Sequence, residues 1–213
     1  MVNVFLKATI LTIIIFSIGV FFGYVLESSR TYAIAEKYID SEISWNDARL
    51  LSDLFYQNET DFCKKAIVTN LQFADKIYEE GKILEQYEEA NKLTSQLLKQ
   101  KKKYALLQTQ FLLNSIRLKQ QCGASYNIII YFYAQYADMQ TKNKQNVISN
   151  LLLTVKEQKG FEVMLIPLPV DLDLDSVTLL KEKYGIDETP AIVINEKVYK
   201  GNLTLNDVLK ELK

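Results

Sequence analysis

The stretch "YNIIIYFYAQYADMQTK", residues 126–142, decides the fold. Its first eight residues form a short, continuous, β-rich apolar run, the pattern of a strand buried on both faces. The rest reads as a turn entering a helix. Working outward, "TKNKQNVISNLLLTVKEQ" predicts a helix with Val147, Leu151 and Val155 inward. "FEVMLIPL" predicts a second strand, ended by Pro167 and Pro169. "DSVTLLKEKYG" predicts a helix that Gly185 stops. "PAIVI" and "KVYKG" predict two strands around the turn "NEK", and "TLNDVLKELK" a closing helix opened by Thr204. The order β-α-β-α-β-β-α implies an α/β domain over residues 123–213, with a parallel pair joined by a right-handed crossover and then an antiparallel hairpin.

Composition removes several chemistries. The 213 residues contain no histidine, which excludes Ser-His and Cys-His nucleophile pairs, His-ligated zinc and the commonest general base. Two cysteines do not make a structural zinc site. No cofactor and no metal is expected. A net charge of −1 argues against a nucleic-acid partner, which calls for a basic surplus.

Residues 1–30 read as a membrane anchor. Between Lys7 and Glu27 lie 19 uncharged residues, 8–26, which as a helix span about 28 Å of a hydrocarbon core about 30 Å thick. A cleaved signal peptide is the alternative, but its apolar core is about 7–15 residues and a small-residue cleavage site should follow; here the exit reads "YVLESSR". Membrane lipid is therefore the expected partner of residues 8–26. The flanking Lys and Arg nearly balance, and the expected topology places the N-terminus in the cytoplasm and the body outside. Gly19 and Gly23 form a G-x-x-x-G, read either as a homodimer contact or as ordinary glycines of a membrane helix.

Residues 31–122 contain no proline and, inside that span, only Gly81 as glycine, so long helices forming a bundle or coiled-coil-like region are expected. Ser44–Asp47 reads as a capping box opening the series Ala48, Leu51, Leu54, Phe55. A second helix begins near Thr60-Asp61, with Ile67, Leu71, Ala74, Ile77 and Tyr78 on one stripe, and runs past Gly81 through Leu84, Tyr87, Leu93 and Leu97. A third carries Tyr104, Leu107, Phe111, Leu118 and Cys122. The second is acidic (Glu79, Glu80, Glu85, Glu88, Glu89) and the third basic, which favours their antiparallel pairing. "KQKKK", residues 99–103, reads as a solvated helix turn before a basic binding patch. In such a hairpin Cys63 and Cys122 meet, and a disulfide closing the ~60-residue loop stabilises by about 4 kcal/mol in the chain-entropy picture. Two separate buried thiols are the other reading. Asn58 ("NET") and Asn202 ("NLT") are N-glycosylation sequons, compatible with an exported body.

Three features of residues 126–213 carry a resemblance: Phe132-Tyr133-Ala134 before the first helix, "VDLDLD" after the second strand, and above all "YGIDETPAIVINEKVYKG", residues 184–201. Together they resemble the thioredoxin-like superfamily, whose site is shaped by a cis-proline after threonine and by two cysteines at the first helix. The resemblance implies a cis bond between Thr189 and Pro190. It places Ala137 and Gln140 where the cysteines belong, and residues 123–213 hold no cysteine at any register. Neither side chain attacks sulfur, so a disulfide-exchange activity does not transfer and no catalytic residue is expected. In the superfamily the backbone before the cis-proline also pairs with an extended peptide. The equivalent peptide-binding residues here are Thr189 and Pro190, flanked by Tyr136, Ala137 and Met139; these side chains otherwise merely pack the turn.

The expectation is thus a membrane-anchored, redox-inactive thioredoxin-like protein that binds or scaffolds partner proteins through this groove, through the helical region, or both. The competing enzyme reading uses Cys63 and Cys122 as a redox pair. A further alternative makes the helical region the main interaction module.

Overall fold

The computed structural model describes residues 4–53, 60–90, 95–199 and 203–212. The sequons at Asn58 and Asn202, together with Leu54, Phe55 and Leu93, lie outside the described residues. The chain divides into two compact units, Met1–Ile39 and Asp40–Lys213.

Helix α1, Val4–Asp53, supplies the whole of the first unit and enters the second. Within the first unit, the most apolar 18-residue stretch of Val4–Ser29 has a mean hydropathy of 2.4, and none of that stretch is buried. Thr9 and Thr12 donate to the carbonyls of Phe5 and Ala8, so their hydroxyls are satisfied inside the helix. Among the described residues this is one helix long and apolar enough to span a membrane. No break occurs at Ser44. Its hydroxyl donates to the Asp40 carbonyl at 2.8 Å, a bond made inside a helix, whereas a cap would accept from the N–H two or three residues on. The capping box expected there is corrected accordingly.

In the second unit, the end of α1 packs with α2 (Thr60–Ala90) and α3 (Ser95–Cys122). Trp45, Phe73 and Phe111 form an aromatic chain across the three helices, with ring centroids 5.5 and 5.4 Å apart. Beside it the buried Asn70 amide donates to Ser115 Oγ at 3.0 Å and accepts from Asn114 at 3.2 Å, a polar contact inside the helix pair. Helix α2 passes Gly81 as expected and is described to Ala90, but Leu97 belongs to α3.

The sheet has the order β2-β1-β3-β4. Strand β1 (Asn127–Tyr133) pairs in parallel with β2 (Val163–Pro169) and antiparallel with β3 (Ala191–Ile194), which turns through Asn195-Glu196 into β4 (Lys197–Tyr199). Both turn residues have positive φ, 46° and 68°, the geometry that suits the strand twist of a two-residue hairpin. Helix α4 (Met139–Lys159) and α6 (Leu205–Glu211) cover one face, where Ile129, Tyr131, Leu152, Val155, Val163, Ile192, Ile194 and Val208 form the core. Strand residues alternate, so Ile128, Ile130 and Phe132 point to the opposite face, toward α3 and α5 (Asp175–Lys183). Each fully buried aliphatic side chain contributes roughly 1.5–3 kcal/mol.

Two further expectations change. Val147 is exposed, because the inward stripe of α4 is Gln145, Ile148, Leu152, Val155 and Lys156. Pro169 is the last residue of β2, as expected, but Pro167 does not end the strand and lies within it. The Val170 N–H donates to the Tyr133 carbonyl at 2.9 Å, so even-numbered residues turn their N–H groups to β1. The two prolines fall on the odd positions of an edge strand, where no ladder bond is lost.

Candidate functional site

The carboxyl end of β1 is where the sequence directs attention. The last antiparallel pair is Phe132 with Ala191, so Thr189 and Pro190 directly precede the residue that faces Phe132. The Thr189–Pro190 peptide is cis. Residues 134–138 form the turn that follows, and α4 starts at Met139 with Asp138 as its cap.

Three side chains outside the expected set of site residues hold this turn. The Asp171 carboxylate accepts from the main-chain N–H of Gln135 at 2.7 Å and of Tyr136 at 2.8 Å. Gln145 accepts from the Ala134 N–H at 2.9 Å and donates to its carbonyl at 3.0 Å, as a neighbouring strand would. Asp138 accepts from the Thr141 N–H at 2.7 Å, and that bond to the helix backbone holds its carboxyl below the usual carboxylate range. Asp171 belongs to "VDLDLD", a legible signal; Gln145, a polar residue on an inward stripe, gave none.

With its main chain fixed, the turn presents apolar side chains outward. Tyr136 is 63 % and Met139 75 % exposed, Ala137, Thr189 and Pro190 are half-buried, and Gln140 is exposed. Thr189 and Pro190 enter β3 at the end of β1 from which the turn carrying Tyr136, Ala137 and Met139 departs. Where a thiolate would draw on the helix N-terminus, the chain has Ala137 and then the Asp138 cap. Among the described residues no group of three or more His, Cys, Asp or Glu is arranged to hold a metal. The arrangement offers an apolar surround, and its side chains include no thiol.

Beside the turn lies a buried charge pair. Lys101 on α3 donates to Glu88 on α2 at 2.6 Å, and its ammonium stands 5.5 Å from the Tyr133 ring centre. Burial lowers the Lys101 pKa, opposed by Glu88, and burial pushes the Tyr133 hydroxyl well up. Lys101 is thus not part of a solvated turn; Lys99 and Lys103 are exposed, and Lys102 approaches Asp173 at 3.8 Å. The opposite charges of α2 and α3 do pair.

Cys63 and Cys122 are bonded, with Cα atoms 5.4 Å apart. The bridge stands at the amino end of β1, and the seven-residue strand separates that end from the turn by roughly 20 Å. It is not part of the turn. No family model matches the chain, and no curated protein matches it.

Proposed function

We propose that the chain is a membrane-anchored, redox-inactive thioredoxin-like protein that captures an extended segment of a partner protein along Thr189–Pro190. The observation that carries this reading is the thiol-free turn at the carboxyl end of β1, whose main chain is held by Asp171 and Gln145 while Tyr136 and Met139 stay exposed. The mixed sheet order and the helices on both faces are compatible with that fold. The apolar helix Val4–Ser29 supports the anchor. A peptide adding as a strand would draw its affinity from main-chain hydrogen bonds and its selectivity from pockets beside Tyr136 and Met139. The distance of the Cys63–Cys122 bridge from the turn favours a structural role for the bridge over a redox one.

The test is photo-crosslinking from position 139 in the full-length protein in its membrane. Crosslinked partners should persist in Thr189→Ala, which keeps the main chain, and disappear in Thr189→Pro, which removes its N–H. Unchanged capture by a folded Thr189→Pro protein, checked by circular dichroism, overturns the groove.

A further inference from the structure

A partly open cavity of about 160 Å³ lies between α3, the start of β1, the residue that ends α5 and the β3–β4 turn. It is unrelated to the cis-proline turn, which sits at the other end of β1. Ile116, Ile128 and Ile130 make its apolar wall. Tyr184 also lines it: the residue is only 9 % exposed, and its buried hydroxyl faces the Lys183 ammonium, itself a donor, with no acceptor for its own proton among the described residues. Buried polar groups are almost always paired, so an unpaired donor in a cavity wall is a group with a use outside the fold.

The charges at the rim are already matched. The Lys119 ammonium donates to the Tyr126 carbonyl at 2.7 Å and to Asn195 Oδ1 at 2.9 Å, and Lys183 approaches Glu196 at 3.8 Å. A charged ligand would meet no uncompensated countercharge there, whereas an uncharged one loses nothing by burial. In size, an apolar cavity of roughly 150 Å³ admits a benzene-sized ring. We propose that this cavity binds a small, uncharged cyclic molecule carrying one hydrogen-bond acceptor, with the Tyr184 hydroxyl as its donor.

The experiment uses the full chain in lipid nanodiscs with ring-¹³C-tyrosine, titrated with acetophenone and, separately, with ethylbenzene, which lacks the acceptor. One tyrosine signal, identified by its absence in Tyr184→Phe, should shift saturably with acetophenone. Ethylbenzene should bind about fivefold more weakly, the worth of one neutral hydrogen bond. In Tyr184→Phe, followed on neighbouring isoleucine methyl signals, the two probes should bind equally. Ile116→Phe, which fills the cavity, should abolish both. A shift that rises linearly without saturating means partition into lipid and overturns the site. So does a Tyr184→Phe protein that still prefers acetophenone, a result readable even if Ile116→Phe fails to fold.

Discussion

Gly81 shows how one residue can matter through what it leaves out. Glycine inside a helix costs about 1 kcal/mol relative to alanine, so by propensity alone Gly81→Ala should stabilise α2. A Cβ there would run into the hydroxyl of Tyr104, which crosses from α3 and donates to the Ile77 carbonyl. Burial raises the Tyr104 hydroxyl far above the usual phenol range, so it stays protonated and keeps that bond. Gly81→Ala should therefore destabilise the protein by about 2 kcal/mol, the ordinary cost of overpacking. Tyr104→Phe removes the colliding atom, and in that background Gly81→Ala should be within about 0.5 kcal/mol of neutral, or stabilising. Urea unfolding of the four proteins measures the coupling. Additive effects would mean that Gly81 is retained for some reason other than the approach of Tyr104.

At the scale of elements, the pairing of α2 with α3 was legible and its details were not. Blocks of glutamate on one helix and lysine on the other announce an antiparallel match, but a charge run does not say which lysine turns inward. Lys101 does, because it falls on the buried side of α3 opposite Glu88. Val147 misled for a similar reason: α4 takes Gln145 and Lys156 into its inward stripe, and each is paid for by main-chain hydrogen bonds that no hydrophobic pattern displays. The sheet was easier, since uninterrupted apolar runs bounded by turn residues leave few arrangements. At the turn, Thr189-Pro190 was legible as a motif, while Asp171 acts from a loop distant in sequence. Glu88→Gln should leave the buried Lys101 without its hydrogen-bonded carboxylate, with only the weaker pull of Glu85 and Asp171, and cost about 3 kcal/mol, whereas Glu88→Leu with Lys101→Met should lie within about 1 kcal/mol of the natural protein. The sign with pH follows from the lowered Lys101 pKa: the penalty is full below its folded pKa and vanishes above its unfolded value of about 10.4. The deficit of Glu88→Gln should thus narrow as pH rises from 7 toward 10. A deficit independent of pH would assign it to packing rather than charge.

For the whole molecule, the Cys63–Cys122 bridge joins the start of α2 to the end of α3 across 59 residues, and so ties the helix pair to the entry of the sheet. Restricting an unfolded loop of that length is worth about 4 kcal/mol, and Cys63→Ser with Cys122→Ser should lower stability by that order. The bridge also bears on where the body resides. Disulfides persist in oxidising compartments and are rare in the cytosol, while the lysines and arginines around residues 8–26 barely favour one orientation. The measurement is intact mass after thiol alkylation, with the protein blocked at the moment the membrane is lysed. No adduct without reductant and two with it would place residues 40–213 on the oxidising side, with the N-terminus in the cytoplasm. Two adducts without reductant would reverse that topology. The partner proposed for Thr189–Pro190 would then be sought among cytoplasmic proteins, and about 4 kcal/mol would be missing from the protein as it exists in the cell.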